Sequence, residues 1–339
     1  MKLQRLEEIL RKIADTCLLV AGDFFLDQYW LVDPSLEEIS LETGLAAYQI
    51  AEVRLNPGAA GTVANNLSAL QVGQIEALGI VGKDGNGVEL LKGLQHRNIH
   101  TENLIVTAQR RTPVYTKPLS MDTGAEMERF DIKNRTKLPE ELEDEFLRRL
   151  EAGLARADGI AILDQVQEED CGVITNRVRR ELGKMAQRYP EKIFLADSRA
   201  QIMNFRNVII KPNENEASEA LSIPTSDKKR LLKSLAAISL SPVFMTCGSR
   251  GISLFDGEKT HHFPALPVAG PIDIVGAGDS VSAAIVSSRC AGANLEEAAQ
   301  LANLVASVTI QKLGTTGTAS PTEIMETAAA NRELVENWG

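Results

Sequence analysis

The sequence predicts an α/β fold: a mainly parallel central sheet flanked by helices, with a small antiparallel β lid. Short β-branched runs alternate with segments of helical length through most of the chain, the pattern of βαβ units that build parallel sheets. Two stretches, 30–57 and 105–132, break this pattern. There apolar and polar residues alternate without helical spacing, as in half-buried antiparallel strands lying outside the main sheet. The 339 residues contain no long linker, internal repeat or low-complexity tract. One domain spanning 1–339, with the lid strands within 30–57 and 105–132, therefore accounts for the whole chain.

In chain order, the first segment has the spacing of a charged amphipathic helix and runs into a buried strand, CLLVAGD (17–23). IEALGIVG (75–82) reads as a strand and VELLKGLQHRNI (88–99) as a helix. GIAILD (159–164), KIFLAD (192–197), NVIIKP (207–212) and PVFMTCG (242–248) read as further strands, separated by segments long enough for helices. GISLFDGEKTHHFPA (251–265) reads as a hairpin turning at Asp256-Gly257. His261 and His262 are neighbours on its second strand and point to opposite faces, so they do not form a metal pair. Ligands of parallel sheets gather beyond the carboxyl ends of the strands, which makes the residues just after each run the first candidates for a site.

Composition narrows the function classes. A formal net charge of −10 argues against a nucleic-acid or membrane-surface partner. No run approaches the ~18 continuous apolar residues of a membrane span. The start lacks the basic and apolar regions of a signal peptide, which points to the cytoplasm. Cys17, Cys171, Cys247 and Cys290 are scattered, with no CxxC pair, and read as reduced core thiols. No G-x-G-x-x-G follows the first strand and no G-x-x-x-x-G-K-[ST] occurs, which disfavours a dinucleotide-dependent oxidoreductase and a Walker-type ATPase.

The segment PIDIVGAGDSVSAAIVSS (271–288) carries the sharpest chemical signal. Asp279 follows Gly276-Ala277-Gly278 at the start of a small, apolar helical run. A helix N-terminus offers unpaired N–H groups and partial positive charge, and glycines let a phosphate approach closely. An aspartate there is either a helix cap, worth ~1 kcal/mol, or a general base. As a base it takes a hydroxyl proton while the amides hold the charge forming on a transferred phosphoryl group.

Asp273-x-x-Gly276-Ala277-Gly278-Asp279 resembles the D-T-x-G-A-G-D motif of the ribokinase-like (PfkB) carbohydrate kinases. Other landmarks follow in that family's order: GDFFLDQYW (22–30), NPGAAGTVANNLSAL (56–70), LGIVGKDGNGVELLKGLQHRNI (78–99), KPNENEA (211–217) and TCGSRGI (246–252). The resemblance covers roughly 17–325. It implies a ribokinase-like fold and transfer of the γ-phosphate of ATP to a sugar hydroxyl. Asp279 would be the base, and the amides of Gly276, Ala277 and Gly278 the anion hole. Asn213 and Glu216 would hold Mg²⁺ through water, as suits an ion that keeps several waters; otherwise they are a cap and a first-turn acid. Thr246, Gly248 and Gly251, with Arg250, would face the nucleotide phosphates, and Asn303 would flank the adenine. Asp273 would help bind a monovalent cation, K⁺, although Ile274 replaces the usual Thr.

For the acceptor, Asp27 is the first candidate, since a carboxylate accepts hydrogen bonds from two neighbouring hydroxyls. Asp23 competes with it or caps a loop. Where the family has Gly-Gly and then Asn, this chain has Gly58-Ala59 and Thr62, with Asn66 read as structural. GDFFLDQYW, Thr116-Lys117 and ERFDIKNR (128–135) resemble the heptose-7-phosphate kinase group, which would set Lys117 and Arg129 against a phosphate on the acceptor. Asp164 keeps that group's acid in LDQVQEEDCG (163–172), without the basic partner that usually follows it. No H-x-G-H motif of a nucleotidyltransferase module occurs in these residues. The expected partner is a small sugar or sugar phosphate, and exposed lid strands point to a homodimer. A nucleoside kinase of the same fold, or a non-catalytic sugar- or nucleotide-binding relative, is the alternative.

Overall fold

The computed structural model describes residues 1–314 and 316–338. Helix α1 (Leu3–Ile13) leads into β1 (Cys17–Gly22), followed by two long strands, β2 (Phe24–Ile39) and β3 (Ala46–Ala59), and by α2 (Ala60–Ala69). Then come β4 (Gln74–Leu78), β5 (Ile80–Gly82), α3 (Gly85–Gln95), β6 (Ile105–Thr107), β7 (Val114–Ser120) and β8 (Phe130–Ile132). Alternation follows: α4 (Glu140–Arg156), β9 (Gly159–Asp164), α5 (Asn176–Arg188), β10 (Ile193–Ser198), β11 (Ile209–Ile210), α6 (Glu214–Leu221), α7 (Lys228–Ser239) and β12 (Val243–Thr246). The hairpin β13 (Ile252–Phe255) and β14 (Thr260–Phe263) precedes α8 (Ala277–Cys290), α9 (Leu295–Thr309), α10 (Pro321–Ala330) and α11 (Arg332–Glu336).

The main sheet runs β14-β13-β12-β11-β10-β9-β1-β4, parallel from β12 to β4 and antiparallel at the terminal hairpin. Its strands are apolar on both faces because helices cover both. In β1, Leu18 and Val20 join the core under α1, α2, α8 and α9, while Leu19 and Ala21 join the core under α4, α5 and α7. Two expectations change in detail. The run 75–82 breaks at Gly79 into β4 and β5, and β5 leaves the main sheet to pair with β6. Of 207–212, only Ile209–Ile210 forms a strand.

The lid is a second sheet, β3-β2-β7-β8, in which β2–β3 and β7–β8 are antiparallel. Its central pair β2–β7 is parallel, from Leu26↔Val114 to Val32↔Ser120, where an antiparallel lid was expected. Between those strands the chain passes through β3–β6, α2 and α3, a crossover long enough to bring β7 back in the same direction. The lid also starts earlier than expected, at Phe24, and residues 105–107 lie outside it.

Asp84 joins lid to body. It caps α3, accepting from Gly87 N at 2.8 Å, and also accepts from Thr112 N at 3.0 Å and Thr112 Oγ1 at 2.8 Å, at the entrance to β7. Burial opposes ionisation, but the Thr112 and Gly87 donors outweigh it and hold the carboxyl below its usual range. Replacing Asp84 with Ala removes the cap and orphans the Thr112 donors, at a cost of about 2 kcal/mol in urea unfolding. Because the folded pKa is lowered, this contribution is present at neutral pH and disappears as pH falls through that folded value. The mutant's deficit therefore shrinks in strong acid.

Candidate active site

Beyond the carboxyl ends of the parallel strands, under the lid, lies a cavity of about 630 Å³. Asp279 lies at its base in the first turn of α8, after Gly276, whose φ of +78° turns the chain into the helix. Burial pushes the Asp279 carboxyl up to about 7; Asp197 adds to the shift, while Lys211 and Arg199 pull against it. The Ala277 N–H bonds back to the Ile274 carbonyl at 3.1 Å, so it closes the turn and is withdrawn from the expected anion hole. Gly276 and Gly278 remain for that role. Ile274 is 70% exposed and Val275 lines the cavity mouth, which is where the departure from the usual Thr falls.

Asp27 faces Asp279 from the lid, and burial pushes its carboxyl up to about 6 against the pull of Lys117 and Arg129. Gly58 lies against it: a Cβ there would fall 2.4 Å from Asp27 Oδ2, so only glycine leaves the carboxylate free to turn into the cavity. Ala59, where a second glycine was expected, takes φ +54° and ψ −117°, a region that glycine adopts readily and alanine at a cost. Thr62 is buried in the cavity wall close to Gly276. Asn66 is structural, as read: its Nδ2 donates to the Thr62 carbonyl.

Two of the expected acceptor contacts are corrected. Asp164 does not line the cavity; it lies beneath it, accepting from Arg179 Nη2 at 3.0 Å and Ser198 Oγ at 2.7 Å. Its basic partner is thus Arg179 on α5, which the sequence pattern did not reveal. Asp23 does border the cavity, but its carboxylate is occupied by backbone: Oδ2 accepts from Gln165 N and Val166 N, and Oδ1 from Val173 N. It organises the loop 165–173, and Arg110 secures the same loop through the Cys171 carbonyl. Loop organisation, the lesser sequence reading of Asp23, is what its bonds carry out.

Lys117 and Arg129 both reach the cavity. Lys117 Nζ lies 5.7 Å from the Tyr29 ring centre, and the Arg129 guanidinium sits 4.1 Å over Tyr115 and pairs with Asp131 at 2.7 Å. Lys133 and Arg199 join them. Both were missed, although Lys133 continues the alternation of Arg129 and Asp131 through β8 and its flanking residues.

The residues assigned to the nucleotide line no part of this cavity. Asn213 and Glu216 form a capping box: Asn213 Oδ1 accepts from Asn215 N and Glu216 N, and Glu216 Oε2 accepts from Asn213 N. With Oδ1 engaged by two backbone amides, Asn213 positions Glu216. Thr246 bridges to Asn213, and Gly248 and Gly251 shape the following turn. Arg250 pairs with Glu214 and points away from a phosphate role. Asn303 is 4% exposed, and its Nδ2 donates to the Phe263 carbonyl at 3.0 Å and the Pro264 carbonyl at 3.4 Å, clamping the end of β14. Asp273 accepts from Val275 N at 3.0 Å and Gly314 N at 3.2 Å, closing the turn before α8. Between the two regions lie Asp197 and Lys211, paired at 3.0 Å. They close the predicted strands KIFLAD and NVIIKP, a signal that was available and unused.

Comparison with known proteins places the chain by family and by fold. The model of the pfkB family carbohydrate kinases matches residues 32–323. The bifunctional protein HldE of Trichlorobacter lovleyi is 28% identical over 326 residues, covering 94% of this chain and 64% of that protein. HldE of Sulfurimonas denitrificans is 28% identical over 319 residues, with 92% and 64% covered. The chain thus spans 64% of the length of these curated relatives. Ribokinase of Arabidopsis thaliana complexed with ribose and ATP shares the fold at a TM-score of 0.68 and 19% identity, covering 92% of this chain and 98% of that one. Phosphofructokinase-2 of Escherichia coli in complex with potassium shares it at 0.72 and 19%, covering 93% and 98%.

Asp23→Asn would set an amide N–H₂ against the backbone donors of the 165–173 loop. The expected result is faster hydrogen exchange at Gln165, Val166 and Val173, with a stability loss of about 2 kcal/mol. Unchanged protection of those amides would contradict the assigned role.

Proposed function

The chain belongs to the pfkB family of carbohydrate kinases, and from that premise we propose that it moves the γ-phosphoryl group of ATP to a hydroxyl of a phosphorylated sugar. The observation that carries this reading is the pairing of Asp279, raised to about 7 at the helix N-terminus, with an acceptor cavity rimmed by Lys117, Arg129, Lys133 and Arg199. Lys117 and Arg199 beside Asp27, with Arg129 and Lys133 shared with Asp131, suit a ligand that carries both hydroxyls and a phosphate. They are poorly used by a neutral nucleoside, which disfavours the nucleoside-kinase alternative. A heptose phosphate is the first acceptor to try, given the resemblance of GDFFLDQYW and ERFDIKNR.

Asp27 accepts hydrogen bonds from acceptor hydroxyls and turns the reacting one toward Asp279. Asp279 takes its proton as the oxygen bonds to the γ-phosphorus and the bond to the ADP oxygen breaks. The Gly276 and Gly278 amides and the α8 dipole face the charge on the transferring group. The lid strands exclude water, so that transfer outcompetes hydrolysis. Glu216 would hold Mg²⁺ through water by Oε1, which the capping box leaves free. Mg²⁺ bound there would neutralise phosphate charge. A monovalent cation near Asp273 would rely on backbone carbonyls, because both carboxylate oxygens already accept amides. Exposed Leu36, Ile39, Leu41, Leu45 and Tyr48 on the β2–β3 hairpin support a homodimer formed through the lid, which light scattering would test.

The carboxylate form of Asp279 is the active one and its pKa is raised to about 7, so kcat/KM falls as pH drops below that value. Asp279→Asn is expected to keep ATP binding and lose turnover by about 10²- to 10⁴-fold. In the unfolded chain the same group ionises near its ordinary value of about 3.9. The wild type therefore loses stability as pH rises from there to about 7, and the Asn variant should melt higher at pH 8. Near-normal turnover by this variant removes Asp279 as the base. In an ATP-coupled acceptor screen, sugar phosphates should exceed their parent sugars and nucleosides; the reverse ranking would overturn the phosphate-binding reading.

A further inference from the structure

Lys211 follows β11 and is 3% exposed. Its Nζ lies 3.0 Å from Asp197 Oδ2 at the end of β10, and the same oxygen accepts from Ser282 Oγ at 2.8 Å. Ser282 stands three residues after Asp279 on α8. A Cβ added to Gly278 would lie 3.8 Å from Lys211 Nζ, so the ammonium backs directly onto the turn that carries the base. We propose that Lys211 and Asp197 are positioning residues, a buried ion pair that fixes the first turn of α8 and sets how readily Asp279 accepts a proton. This deepens the kinase reading and rests on Asp279 being the base.

A buried ion pair is weak evidence of a stabilising role, since an apolar pair often serves as well. The distinguishing feature here is that both partners touch the element bearing Asp279. Asp279 faces Asp197 and Lys211 from the strand ends, Arg199 from the loop after β10 and Asp27 from the lid. Lys211 in turn faces Asp197, Glu216 on α6 and Asp279. Burial alone would discharge the ammonium, but these three acids outweigh it and raise its pKa. Removing Lys211 takes away a cation that favours ionised Asp279. Removing the charge of Asp197 takes away an anion that opposes it and also leaves Lys211 free to act on Asp279. The two losses therefore push the base in opposite directions, whereas a purely structural pair would lower turnover in both variants without moving the pH dependence.

The test is the acid limb of the kcat/KM profile, measured on the full chain with ATP and whichever acceptor the screen identifies. Lys211→Met should move the limb up by about one pH unit and Asp197→Asn down by a similar amount. Lys211→Arg and the neutral double variant should stay near the wild type. If Lys211→Met fails to fold, the isosteric Asp197→Asn decides alone: a downward limb supports the proposal and an unmoved limb overturns it. Asp279→Asn separates the two readings. If it is inactive while both limbs stay fixed, the base stands and the pair's role falls; if it is active, the kinase assignment of Asp279 falls first.

Discussion

Every parallel strand of the main sheet ends on one edge, and the charges placed on that edge must satisfy one another because little water reaches them. Asp23 takes backbone amides, Asp164 takes Arg179 and Ser198, and Asp197 takes Lys211 and Ser282. Asp279, raised to about 7, and Asp27 on the lid, raised to about 6, have no direct ion-pair partner among the described residues, whereas Asp164, also raised to about 7, is paired with Arg179. That is the physical difference between an acid that holds the fold and an acid available for proton transfer. The proposed base is thus an edge acid left without a bonded partner among the described residues.

The lid gives a second selection. Gly58 clears room for Asp27, and β8 with its flanking residues brings Arg129, Asp131 and Lys133 to the cavity while Phe130 stacks on Trp30. The proposed acceptor contacts sit on strands tied to the body through Asp84 and Thr112. The proposed base, Asp279, sits instead on α8 beside the ends of the main-sheet strands.

Much of this was legible in the sequence. Apolar runs located β1, β9, β10 and β12 to within about two residues, and the small-residue turn before Asp279 announced a helix start with a carboxylate in its first turn. Legibility failed where a residue's role depends on who its partner is. Asp164, Asn213 and Asn303 match expected positions, yet each is engaged by a neighbour far away in the chain or by its own helix end. The parallel β2–β7 pair was unreadable because period-two alternation reports exposure of a strand and says nothing about its direction. Lys211 and Asp197 were visible as charges ending apolar runs, but their meeting depends on the order of strands in the sheet.

That β2–β7 pairing also bears on how the chain reaches its native state. Gln28 and Thr116, hydrogen-bonded across it, are 88 residues apart. Closing a loop of that length costs about 4 kcal/mol of chain entropy beyond a constant, and contacts of such separation form slowly. The β2–β3 hairpin closes locally and does not wait for it. Within the lid, the hairpin that carries Asp27 and Gly58 therefore forms before β7 and Lys117 close against it.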